Sequence, residues 1–277
     1  MAICDCIKWI MQFEVFHATR ILSEVFYGRG GLSSMVFALV LSGGVGSRLG
    51  ADMPKQYHPI GGKPMVLHVL KTLQEHPHID CIVVVAASEW RSFIGQWAEE
   101  DGITKLSGYA DPGESRQLSV FSGLIKLKDL GARNDDKVVI CEACRPGLSS
   151  STLSMLIEGL VEGVDLVDAT LPVYEALYLS LDGVVLDEAL DRTKVLIGME
   201  PSIARFGQFY RANVDTPSHE LGSYRGTVDF FLAKKLVVST VAGDPNGFKI
   251  TTRDDLERYR VIYEQASIRS EDDTTMR

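Results

Sequence analysis

Three short β-rich runs, Val36–Leu41, Cys81–Ala86 and Lys137–Cys141, are separated by helix-length amphipathic stretches near 64–75, 89–100 and 115–128. Continuous rather than alternating apolar character marks strands covered on both faces, and a helix between consecutive strands makes their pairing parallel. The pattern predicts an α/β fold: a Rossmann-like, mostly parallel sheet with helices on both faces, whose ligands sit where strands end. A further helix at about 151–162 and strand at 165–171 continue it, followed by helices at 206–213 and 225–235 and a strand at 236–241. Thr252-Arg253-Asp254-Asp255 reads as a capping box opening a final helix. Residues 173–193 break the alternation. Two β-like pieces around the turn Asp182-Gly183 predict a protruding β-hairpin arm, a device that exchanges contacts in dimers.

The 277 residues divide into residues 1–34, a core domain over 35–267 that contains the arm, and a polar, flexible tail over 268–277. Residues 7–26 have the pattern of an amphipathic helix, and Gly28–Ser34 that of a linker. This leader has two readings, an appendage upstream of a start at Met35 or a helix that docks on a partner. Lys8, Glu14, Arg20 and Glu24 interrupt the most apolar stretch, so no transmembrane segment is expected. The formal charge of −9 repels phosphate backbones and argues against nucleic acid as a partner. Five irregularly spaced cysteines suit a reducing compartment, and hence a cytoplasmic protein.

In an acidic chain, an anionic substrate has to be held by a few placed cations. The segment Ser42-Gly43-Gly44-Val45-Gly46-Ser47-Arg48 follows the first strand, where glycines let backbone N–H groups approach phosphate oxygens. It lacks the Gly-Lys-Ser/Thr of a P-loop and the third glycine of a dinucleotide fingerprint. Two cations come instead, Arg48 and, within Pro54-Lys55-Gln56-Tyr57, Lys55. Such a pair beside a glycine nest suits a triphosphate, whose non-bridging oxygens gain charge when the α-phosphorus is attacked. The six histidines show no triad or metal-ligand spacing.

Gly43-Gly44-x-Gly46-x-Arg48 followed by Pro54-Lys55-Gln56 resembles the signature of sugar-phosphate nucleotidyltransferases. Pro-Lys-Gln-Tyr narrows the resemblance to the 2-C-methyl-D-erythritol 4-phosphate and D-ribitol 5-phosphate cytidylyltransferases. Gly113–Ser119, Leu190-Asp191-Arg192 and Phe248-Lys249-Ile250-Thr251 resemble further motifs in the same order, so that the likeness spans about residues 36–265. It implies CTP as co-substrate, a polyol phosphate as acceptor, a divalent cation such as Mg2+, and a homodimer joined through the arm. It implies catalytic roles for Arg48 and Lys55, and nucleotide binding by Ser42, Gly43, Gly44, Gly46, Gly113, Ser119 and Ala143. Arg192, from a neighbouring subunit, and Lys249 would hold the acceptor phosphate, and Glu142 the metal.

The departures from the family pattern gather on the acceptor side. Ala176 stands where a threonine is usual and Glu200-Pro201-Ser202 in place of Thr-Pro-Gln, while apart from these, at the metal, Glu142 stands where the family has aspartate. They leave two rival readings from other classes, an inactive relative acting as a binding or scaffold module and a thiol-redox protein using Cys141-x-x-Cys144.

Overall fold

The computed structural model describes residues 34–44 and 53–275. The expected leader helix, Gly46 and Arg48 lie outside the described residues. Strand β1 (Val36–Leu41) is followed by a small antiparallel pair, β2 (Pro59–Ile60) and β3 (Lys63–Pro64), and by helix α1 (Met65–Glu75). The chain continues through β4 (Cys81–Val85), α2 (Ser88–Glu100), β5 (Leu106–Ala110), α3 (Arg116–Asp129), β6 (Lys137–Glu142), α4 (Ser150–Gly159) and β7 (Leu166–Pro172). The arm is the hairpin β8 (Leu177–Leu179) and β9 (Glu188–Leu190). Next come β10 (Leu196–Arg205), α5 (Phe206–Val214), α6 (Ser218–Leu221), α7 (Thr227–Ala233), β11 (Val238–Ala242) and α8 (Arg253–Thr275).

Seven strands form one sheet in the order β11-β7-β10-β6-β1-β4-β5. All neighbours pair in parallel except β10, which runs antiparallel to both β6 and β7. The period of two along each strand divides the core. Ala38, Val40, Ile82, Val84 and Val139 face Val66, Leu70, Ile94 and Leu153 of α1, α2 and α4. Phe37, Leu39, Val83, Val85 and Ile140 face Val120 and Leu124 of α3, Phe209 of α5 and Phe230 of α7.

The expected capping box is present. Asp255 N–H donates to Thr252 Oγ1 (3.2 Å), and Asp255 Oδ2 accepts from the N–H groups of Thr251 (2.9 Å) and Thr252 (2.8 Å). α8 runs on to Thr275, through the stretch expected to be a frayed tail. The sequence reading misses β10, because Gly198 and Pro201 interrupt its apolar run. Its pairing with β7 shifts register between Gly198 and Ser202. Since β1 pairs with β4 on one side and β6 on the other, the order reverses at β1, and the crevice beyond the carboxyl ends of β1 and β6 is where this topology places a ligand.

Candidate active site

β1 ends at Leu41, paired in register with Glu142 at the end of β6. The glycine segment that follows is pinned from below by the Lys55–Tyr57 turn. Gln56 Nε2 donates to the carbonyls of Ser42 (2.7 Å) and Gly44 (2.8 Å), and Ser42 Oγ donates to Tyr57 OH (3.2 Å). Tyr57 is fixed in turn by stacking on Trp90 at 4.4 Å between ring centroids. Gln56 and Tyr57 thus set the path of the glycine backbone, a supporting role that the sequence reading did not assign. A β-carbon at Gly43 would overlap the Pro112 ring, so this glycine is required for close packing on the 112–113 turn. One at Gly44 meets nothing within 4 Å among the described residues.

Beyond these strand ends lies a cavity of about 510 Å³. Gly43, Gly44, Lys55, Gly113, Ser119, Glu142 and Lys249 all line it. The topology therefore gathers residues from five separated stretches around one cavity. Ser42 and Ala143 lie beneath it. The Ser42 carbonyl is occupied by Gln56, while Ala143 packs in the core and its N–H donates to Leu41 O (3.0 Å). Gly113 forms a tight turn before α3. Its N–H donates to Ser119 Oγ (3.0 Å), and a β-carbon there would sit 2.7 Å from the Leu118 carbonyl carbon. Arg192 is on the arm, its guanidinium donating to the Tyr174 carbonyl, and is not among the residues lining the cavity.

Lys55 Nζ donates to Ile250 O (2.9 Å), so the late motif that carries Lys249 also holds the first lysine. Glu142 is the hub of the site. Its Oε1 accepts from Lys249 Nζ (2.8 Å) and lies 3.5 Å from Arg116 Nε, while its Oε2 accepts from Arg145 Nε (3.2 Å). Burial pushes the Glu142 carboxyl up, but the charge and hydrogen bond of Lys249, with Arg145 and Arg116, hold it below the usual carboxylate range. Among the described residues no group of three or more His, Cys, Asp or Glu surrounds a common point. Glu142 therefore offers one hard carboxylate. An ion like Mg2+, which keeps several waters and takes other oxygens from substrate phosphates, would need only this one ligand, but would have to displace one of the three cations that now hold it.

Sequence reasoning assigns no role to Arg116, Arg145 or Asp168, although Arg116 lies inside the Gly113–Ser119 motif, and it marks Glu200 only as a departure from the family pattern. Behind the wall, Glu200 Oε1 accepts from Arg116 Nη2. Burial, then the charge of Glu142, raises the Glu200 carboxyl, against the pull of Arg116, Arg145 and Lys249. Asp168, only 4% exposed, has no hydrogen-bond partner for Oδ1. Burial, then the charge of Glu200, pushes its carboxyl up to about 7. Cys141 and Cys144 are buried, and burial pushes both thiols up. This removes the thiolate on which the redox reading depends.

The model of the family described as "IspD: 2-C-methyl-D-erythritol 4-phosphate cytidylyltransferase" matches residues 36–265. The 2-C-methyl-D-erythritol 4-phosphate cytidylyltransferase of Pseudomonas paraeruginosa is 34% identical over 234 residues, covering 80% of this chain and 93% of that one. The ribitol-5-phosphate cytidylyltransferase of Streptococcus agalactiae serotype V is 27% identical over 237 residues, covering 83% and 95%. A crystal structure of 4-diphosphocytidyl-2C-methyl-D-erythritol synthase superposes with a TM-score of 0.69 at 24% identity, over 84% of this chain and all of that one, and shares the fold. With the family model matched over residues 36–265 and a 34% identical relative covered over 93% of its length, the chain belongs to the IspD family of cytidylyltransferases.

Proposed function

We propose that the chain transfers CMP from CTP to a polyol phosphate, with a 2-C-methyl-D-erythritol 4-phosphate-like acceptor as the first reading. The observation that carries it is the one cavity lined by the glycine segment, Lys55, Lys249 and Glu142, with Lys55 tied to Ile250 and Lys249 to Glu142. The 34% identity to the Pseudomonas enzyme favours that acceptor over D-ribitol 5-phosphate, which the streptococcal relative supports as a second reading.

A phosphate monoester has its second pKa near 6 and is largely dianionic at pH 7, so it attacks without a general base. Its oxygen forms the new bond to the α-phosphorus in line, the bond from that phosphorus to the bridging oxygen breaks, and pyrophosphate leaves with the electron pair. Lys55 meets the charge that grows on the non-bridging oxygens, a role that the sequence resemblance gives to Arg48 as well. Gly43, Gly44 and Gly46 let the backbone approach the phosphates, and Gly113 and Ser119 border the base. Lys249 takes the acceptor phosphate by exchanging its hold on Glu142. A magnesium ion carried on the nucleotide would rest on Glu142 and neutralise phosphate charge.

Pyrophosphate release from CTP with each polyol phosphate, with mass measurement of the nucleotide product, tests this reading. A CDP-alcohol is expected with one of them. CTP binding without pyrophosphate release from either would favour the scaffold reading.

The arm is the proposed dimer contact. At the tip of the hairpin Leu181 (84%) and Val184 (85%) are nearly fully exposed, followed by exposed Val185 and Leu186, apolar surface that suits burial against a second copy. From there Arg192 reaches the neighbour's acceptor site. Sedimentation equilibrium of the full chain should give a dimer, and Leu181→Asp/Val184→Asp a monomer. A monomeric parent chain overturns this assignment. No helix of the described residues is long and apolar enough to cross a membrane, and the free Cys81, Cys141 and Cys144 support a cytoplasmic location.

A further inference from the structure

Glu200 is a carboxylate that no step above uses. It lies within the irregular stretch of β10, at a φ of 53°, a left-handed conformation that an L-residue adopts only where its surroundings enforce it. Bulges of this kind re-aim a side chain. Here the carboxyl is aimed beneath Arg116, pairs with Nη2 through Oε1, and keeps Oε2 shielded and without a partner. Arg116 Nη1 donates to Thr227 Oγ1 (3.0 Å) and Nε faces Glu142 (3.5 Å), so all three guanidinium nitrogens are directed at the protein. The result is an alternating row of charges, Glu200–Arg116–Glu142–Lys249, whose last three members line the cavity and whose first does not.

We propose that Glu200 is a positioning residue: as an internal counter-ion it keeps the guanidinium of Arg116, at the edge of the cavity, committed to the protein and thereby limits how tightly the site holds the phosphates of CTP and pyrophosphate. The inference rests on the nucleotidyltransferase reading of this cavity. A guanidinium not committed to carboxylates is a strong bidentate ligand for phosphate, and an unopposed positive charge beside the cavity strengthens every anion bound there. Committing Arg116 to Glu200, Thr227 and Glu142 keeps the departing pyrophosphate exchangeable and leaves the phosphates to Lys55, Arg48 and Lys249.

Titration calorimetry of the full chain with CTP and with inorganic pyrophosphate, each with and without magnesium, tests the proposal on wild type, Glu200→Gln, Glu200→Asp and Arg116→Gln/Glu200→Gln. Loss of one negative charge near the wall should tighten pyrophosphate binding in Glu200→Gln by about three- to tenfold. Glu200→Asp, which keeps the charge, should stay within about twofold of wild type, and the double variant should lose the gain, because Arg116 is the cation released. A purely structural role would instead lower the melting temperature of the single variants without tightening pyrophosphate. Pyrophosphate affinity in Glu200→Gln equal to or weaker than wild type overturns the proposal, as does a gain that persists in the double variant. Should Glu200→Gln not fold, the charge-keeping and double variants decide: a Glu200→Asp chain that binds tenfold tighter or weaker than wild type also overturns it. Wild type that binds neither CTP nor pyrophosphate sinks the functional reading itself, a separate outcome.

Discussion

Lys55→Ala should lower the single-turnover rate of nucleotidyl transfer by about 10²–10³-fold, the cost of deleting one preorganised donor aimed at developing charge. The ammonium is held at the cavity wall by the Ile250 carbonyl, 195 residues away in sequence, so it is in place before a ligand arrives. Charge delivered that way requires no reorganisation during the reaction. The residue's neighbours carry the local fold: Gln56 and Tyr57 are buried and fix the glycine segment, whereas Lys55 is partly exposed. The melting temperature of Lys55→Ala should therefore stay close to wild type while the rate falls, and CTP affinity should fall less than the rate. Unchanged turnover in this variant removes Lys55 from the chemistry.

Asp168→Asn should stabilise the protein in mildly alkaline buffer and change it little in acid. The Asp168 carboxyl is raised from its ordinary 3.8 to about 7, by burial first and then by the charge of Glu200. A raised carboxyl binds its proton more tightly folded than unfolded, so its contribution is fully present below about pH 4 and is lost as pH rises to about 7. At pH 8 the wild type holds a buried, partly unpaired carboxylate, which asparagine does not. Relative to wild type, the variant should gain about 2–4 kcal/mol between pH 4.5 and pH 8, read from urea midpoints at the two pH values. A stability difference that does not change with pH would show that Asp168 ionises normally in the fold.

Much of the fold is legible because strands such as Val36–Leu41 and Cys81–Val85 are covered on both faces, and such strands are written as unbroken apolar runs. β10 is not written that way. It carries Gly198, Glu200 and Pro201 in mid-strand, and only its place between β6 and β7 makes it a strand. The candidate site divides in the same manner. Lys55, Glu142 and Lys249 stand in local motifs, so their residue types and spacing announce them. Arg116 and Glu200 are 84 residues apart, and Asp168 lies on a third element, so their meeting is a product of sheet order that no local pattern encodes. The two cysteines of Cys141-x-x-Cys144 show the converse: a spacing that suggests chemistry, placed by a strand end where burial silences it.

The interruption in β10 also partitions that strand mechanically. Leu196, Ile197 and Gly198 pair with the end of β7 in one register, and Ser202, Ile203 and Ala204 pair in another. The hairpin that leaves β7 and returns to β10 is therefore anchored by the first set alone, and the second set holds the interior sheet whatever the hairpin does. Insertions, deletions or grafted sequences between Pro172 and Leu196 should therefore leave Ser202, Ile203 and Ala204 in register with β6 and β7, so that the segment can be rebuilt without disturbing the strand end that carries Glu142.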